Sequence, residues 1–185
     1  MGHFNWPLTV VSVVNREDSL LRDIKALSED QVKEKYEGYA KLYEINANSG
    51  YRNKAIEYAK EYLRTVPATE ASTNLNLYER LAELDSESNY KAKIALYSFM
   101  VSVSTDCAIA AEALSKKTLR NPSTYDSNIL ETGGRWLSRD RYGYAHSFNA
   151  ANSFGVKTKF TAKYVCHTDS NTRKYRVERI SLARN

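Results

Sequence analysis

Apolar positions recur at helical spacing over the first two thirds of the chain and at two-residue spacing near its end. Leu20, Leu21, Ile24 and Leu27 form one apolar face. Ser28-Glu29-Asp30-Gln31 reads as a capping box, with Ser28 as N-cap and Gln31 at N3. Tyr36, Tyr39, Leu42 and Tyr43 continue as a helix, broken by the turn residues of Asn46–Gly50, and Tyr51, Ala55, Tyr58 and Ala59 open the next one. After Pro67 the pattern returns: Leu75, Tyr78, Leu81 and Leu84, a turn from Asp85 to Asn89, then Tyr90, Ile94 and Tyr97. Cys107, Ala110, Ala111 and Leu114 predict a further small-residue helix, with Asp106 at its start and Lys116 and Lys117 in its last turn, as the helix dipole favours.

Residues 120–134 carry turn chemistry and read as a connector. Beyond them the period falls to two. Val156, Thr158, Phe160, Ala162, Tyr164 and Cys166 share one face of a strand, and Lys157, Lys159 and Lys163 share the other. A turn cluster at 167–172 and a second strand from Arg173 to Leu182 complete a hairpin, and Tyr142–Phe148 predicts a third strand. Leu8–Val14 reads as a short strand or apolar lead-in, too short to span a bilayer.

A shift of 39 residues superposes the chain on itself without gaps. Tyr39 falls on Tyr78, Leu42 on Leu81, Glu44 on Glu83, Ser49 on Ser88, Tyr51 on Tyr90, Lys54 on Lys93 and Tyr58 on Tyr97. The pattern Tyr78-x-x-Leu81-x-x-Leu84-Asp85, a short turn, then Tyr90-x-x-Lys93-x-x-x-Tyr97 resembles the helix–turn–helix unit of the tetratricopeptide family. The period is longer than that family's about 34 residues. The position one period after Pro67 is Asp106, and Tyr43 and Ala82 stand where the family has its first-helix glycine. The resemblance covers about residues 20–100 and implies stacked helical hairpins with a groove for a protein partner.

A second resemblance lies in Phe148-Asn149-Ala150-Ala151-Asn152-Ser153-Phe154-Gly155, followed by a strand ending in Cys166. It is similar to an A-x-N-x-F-G element of small, uncharacterised bacterial and prophage proteins, many exported or membrane-tethered. It implies a three-stranded module over about 142–182, with Phe154 anchored in the core and no catalytic residue to transfer. The expected fold is therefore α+β: N-terminal tetratricopeptide-like helical hairpin repeats with a small C-terminal antiparallel β-sheet. The expected divisions are a lead-in at 1–18, a helical array at 19–119, a connector at 120–134 and a basic β module at 135–185.

Charge sharpens this division. The 185 residues carry a net +5, but residues 1–100 hold −2 and residues 101–185 hold +7. Residues 135–185 alone hold +8. With 7 Gly, 3 Pro and a mean hydropathy of −0.58, the composition excludes collagen-like, Pro/Gly-rich disordered and transmembrane-bundle classes. Cys107 and Cys166 are too few for a disulfide-dense scaffold; one bridge in an exported chain or two buried thiols in a cytosolic one both fit.

Chemistry-bearing motifs are sparse. G-x-S-x-G, H-E-x-x-H and a Walker loop are all missing from the sequence. His146, His167 and the two cysteines do not favour a metal site, because the adjacent Cys166 and His167 point to opposite faces of a strand. No catalytic residue, metal or cofactor is expected. The expectation is a non-enzymatic protein–protein interaction module, an adaptor or an inhibitor encoded by a mobile element. Tyr36, Tyr43, Tyr51 and Tyr90 are the candidate partner-binding residues of the helical face. The alternative is a nucleic-acid-associated protein using a basic aromatic surface of Arg135, Trp136, Arg139, Arg141, Lys157, Lys159, Lys163, Arg173 and Arg176. Lysines on exposed strands also protect sheet edges, so a solubilising role stays open. The N-terminal run lacks a basic n-region and a cleavage site, so the cytoplasm is expected, with the periplasm or a membrane tether the alternative if an export signal has been removed. Oligomeric state is left open.

Overall fold

The computed structural model describes residues 8–86, 89–152 and 154–184. Five helices precede a four-stranded antiparallel sheet: α1 (Leu8–Ala26), α2 (Val32–Asn46), α3 (Ser49–Thr65), α4 (Ala71–Leu84), α5 (Lys91–Lys117), β1 (Asp126–Ser138), β2 (Arg141–Ala151), β3 (Lys157–Asp169) and β4 (Lys174–Arg184), the strands lying in sequence order. The chain is thus α+β. It forms two compact units, Met1–Pro67 with Asn76–Tyr90, and Ala68–Leu75 with Lys91–Asn185.

In the first unit α2 and α3 form a hairpin. Ala47 ends α2 in the left-handed region (φ 53°), and the Asn48 side chain caps α3 by accepting from the Gly50 amide at 2.8 Å. Ala40, Ala55 and Leu84 are buried at its centre, with Tyr36, Tyr39, Tyr43 and Ile56 packed around them. Gly38 lets α1 and α2 approach: a Cβ there would lie 2.6 Å from Ile24 Cγ1. Glu17 on α1 accepts from Asn46 Nδ2 and from the Tyr51 hydroxyl, both at 2.8 Å.

In the second unit α5 lies across one face of the sheet. Its buried stripe, Tyr97, Met100, Val103, Cys107, Ala111 and Ser115, follows helical spacing and ends in small residues, which bring helix and sheet close. From the sheet, Tyr142, Tyr144, His146, Phe148 and Ala150 of β2 and Ala162, Tyr164 and Cys166 of β3 are buried on that side. Cys107 and Cys166 form a disulfide with their Cα atoms 6.2 Å apart. By length and composition α5 could also cross a membrane; here its buried stripe and its disulfide make it the unit's core helix.

Several expectations need correction. Leu8–Val14 is helical and continuous with the 20–26 segment, because its apolar residues serve a long helix as well as a strand. Residues 1–7 of the expected lead-in, Glu87 and Ser88 of the second turn, and Ser153 lie outside the described residues. Ser28 and Gln31 do pair, the Ser28 amide donating to Gln31 Oε1 at 3.0 Å, but within the turn before α2, whose N-cap is Gln31. The helix expected to start at Asp106 is the second half of α5, since nothing between Tyr97 and Cys107 breaks the backbone ladder. The module has four strands, not three. The supposed connector is β1 from Asp126 onward, and its glycines are strand residues: a Cβ at Gly134 would meet the Tyr142 hydroxyl and sit 2.9 Å from the Gly143 carbonyl. The β1–β2 register shifts between Asn128 and Gly133, a bulge that turn-rich sequence disguises.

The disulfide closes a loop spanning 59 residues of sequence. Its loss should therefore destabilise the second unit by about 4 kcal/mol. Urea unfolding of the wild type with and without reductant, beside Cys107→Ser/Cys166→Ser, should show the same loss in both cases.

Candidate functional site

The strand alternation that buries tyrosines beneath α5 turns the cations outward. Gly143, Ala145, Lys163 and Val165 lie on the opposite face, where Lys163 is exposed, Gly143 and Ala145 are half-buried and Val165 is buried. A depression of about 470 Å³ lies there, open beside Gly133, while Leu137 packs over Gly143. Ala145 and Val165 contribute to its floor, Leu137 and Ile180 stand exposed at its sides, and Arg135 and Lys163 supply its charge. Lys157 and Lys159 lie further along β3 on this face; Lys159 is held by Glu131 at 2.6 Å, a contact that keeps the Glu131 carboxyl below its ordinary pKa. Arg141 pairs across to His167, and Arg176 lies on the far side of His167, 3.8 Å from Glu178.

The sheet thus gathers Arg135 and Lys163 and disperses the rest. Arg139 is in the β1–β2 turn, and Arg173 is in the β3–β4 turn with φ 53°. Trp136 is not on the basic surface. It is 8 % exposed and packs edge-on against Tyr142, 5.3 Å between ring centroids, because its position on β1 faces the α5 side. Tyr142, Tyr144 and Tyr164 are buried there too, so the aromatic rings and the cations that alternate in sequence occupy opposite faces.

Of the helical tyrosines, Tyr36 lines an open groove of about 550 Å³ between α2 and α4. Glu37, Glu44, Glu79 and Glu83 surround it, and Arg80 bridges Glu44 and Glu83. Burial pushes the Tyr36 phenol up. The other three point elsewhere. Tyr43 packs on the Ala40–Ala55–Leu84 cluster, Tyr51 is bonded to Glu17, and Tyr90 donates to Asp85 at 3.0 Å beside Tyr78. They do not form one binding face.

A buried polar group emerges that sequence spacing did not single out. Ser115 Oγ lies 3.0 Å from His146 Nε2 and 2.7 Å from the Tyr164 hydroxyl, all three buried where α5 meets the sheet. His146 Nδ1 and the Tyr125 hydroxyl are buried without a hydrogen-bond partner. Burial holds the imidazole below its usual pKa, with Glu112 opposing, and pushes Tyr144 and Tyr125 up. The signal was the Tyr-x-Tyr-x-His-x-Phe alternation, which places His146 among core positions; its partner Ser115 is 31 residues away. The Ser115–His146–Tyr164 cluster is closed to solvent. Among the described residues no group of three or more His, Cys, Asp or Glu is placed to hold a metal.

No protein-family model, no curated protein and no solved structure matches this chain. Its function must be argued from these surfaces alone.

The imidazole gives a pH test. Below about pH 6.5 the unfolded chain takes up a proton that the buried ring of His146 resists, so stability falls with pH through that value. The Glu112 carboxylate and the rings of Tyr125, Tyr144 and Tyr164 face the imidazole. The urea midpoint of the wild type should drop between pH 7.5 and 5. That of His146→Gln should be lower at pH 7.5 and flatter across the window.

Proposed function

We propose that the chain is a non-enzymatic protein-interaction module whose basic sheet face, opposite α5, receives an acidic partner. The observation that carries this is the depression on that face, a small-residue floor between Leu137 and Ile180 with Arg135 and Lys163 beside it. A bulky apolar side chain fits the floor, and neighbouring carboxylates complement the two cations. The absence of aromatic rings on this face weighs against the nucleic-acid alternative, because binding of single strands draws on base stacking as well as phosphate contacts.

The helical half supports a scaffold role. α4 begins 39 residues after α2, the offset of the sequence repeat, and we read the helices as tetratricopeptide-like hairpins on that basis. The Cys107–Cys166 bridge favours an oxidising compartment, such as the periplasm, over the cytoplasm, where thiols are kept reduced.

The test compares the full chain with Arg135→Glu/Lys163→Glu as bait in extract of the source cell, after nuclease treatment. A protein held by the wild type and weakened about tenfold or more by the double reversal supports the reading. Retention that disappears with nuclease shifts it to nucleic acid. Equal retention by both baits removes the sheet face from the function.

A further inference from the structure

The end of the second unit where β2 turns into β3 carries an apolar projection that the sheet-face reading does not use. The connection is a tightly bonded turn. Asn152 Oδ1 accepts from the amides of Phe154 (2.9 Å) and Val156 (3.0 Å). The Asn152 amide donates to the Val156 carbonyl at 3.1 Å, and the Gly155 amide to the Asn152 carbonyl at 3.0 Å. Gly155 adopts φ +77°, a conformation that side chains disfavour. The sequence reading put Phe154 in the core. Instead this turn holds it outward, 88 % exposed, with Val156 beside it at 55 %. A polar residue would satisfy the same backbone geometry, so the turn itself does not call for a phenyl ring.

A basic collar surrounds the projection. Lys157 and Lys159 follow it on β3. Arg184 ends β4, its Nη2 donating to Thr158 Oγ1 at 3.3 Å. The chain leaving α5 reaches the same end, because the Ala151 amide donates to Thr124 Oγ1 at 2.9 Å. That segment brings Lys116, Lys117 and Arg120, with Lys116 Nζ 4.8 Å above the Tyr125 ring. Lys157, Lys159 and Arg184 thus lie on the strands at this end, Lys159 tied to Glu131, and the α5–β1 segment carrying Lys116, Lys117 and Arg120 meets it at Thr124. On the β1 bulge, next to Glu131, Leu130 is 95 % exposed.

We propose that this end of the unit docks on an anionic lipid bilayer. Phe154 and Val156 enter the boundary between headgroups and acyl chains, and the collar meets the lipid phosphates. The shape favours a bilayer over a folded partner. The apolar side chains form a convex tip, which a soft apolar medium accommodates without a matching pocket. Nucleic acid would use the collar and gain nothing from Val156.

The test is co-sedimentation of the full chain with phosphatidylcholine vesicles made with and without phosphatidylglycerol. The chain should bind the anionic vesicles and not the pure phosphatidylcholine ones. Phe154→Ser should lower partitioning about tenfold, and Lys157→Glu/Arg184→Glu about tenfold or more. Lys163→Glu, on the sheet face, should bind as the wild type does, which separates this surface from the proposed partner site. An unchanged urea midpoint for Phe154→Ser shows that the variant is folded. No binding to anionic vesicles overturns the proposal. So does salt-sensitive binding that Phe154→Ser leaves intact, because that is charge attraction without insertion.

Discussion

An antiparallel sheet of four strands must cover one face with something apolar, and here a single helix does it. α5 is held to the sheet at two points two turns apart, by the Cys107–Cys166 bond and by the hydrogen bonds of Ser115 to His146 and Tyr164. One attachment would let the helix pivot. Two fix both its rotation about its own axis and its position along the strands. The small side chains between them, such as Ala111, let the backbones approach closely enough for both contacts to form. The polar contact is more demanding than the covalent one. A hydroxyl, an imidazole and a phenol share a dry space, and a displaced partner would leave the others unsatisfied.

α5 covers the aromatic side of the sheet, while the other side carries the cations and buries Val165 and Ser147. The aromatic rings and the reactive-looking serine–histidine contact lie inside, and the cations and the shallow floor lie outside. This separation directs the functional reading toward recognition.

Much of this architecture was legible in the sequence because it rests on local periodicity. The alternation in Val156–Cys166 put Lys163 out and Ala162, Tyr164 and Cys166 in as found, while Val156 is exposed before β3 and Val165 on the lysine face is buried. The Asn46–Gly50 break located the α2–α3 hairpin, since cap residues act within a few positions of themselves. What escaped depended on distant partners. Gly133 and Gly134 read as turn punctuation, and only the approach of Tyr142 shows why glycine is needed at 134, within a strand. Interleaved Arg, Trp and Tyr around 135–144 suggested one mixed surface, yet strand alternation sends Trp136 and Arg135 to opposite sides. Tyr51 and Tyr90 looked available because their carboxylate partners, Glu17 and Asp85, follow no recognisable spacing.

The bulge in β1 has a consequence for how this fold can vary in evolution. Between Asn128 and Gly133 the strand runs out of register with β2, while the pairs on either side, Asn128 with Ser147 and Gly133 with Ala145, stay intact. Elsewhere in the sheet, inserting one residue would turn every following side chain to the wrong face. Here an inserted or deleted residue is absorbed locally. The segment is therefore a site of permitted length change in an otherwise length-intolerant sheet, where descendants of this chain can gain or lose sequence while the disulfide-bonded core keeps its register.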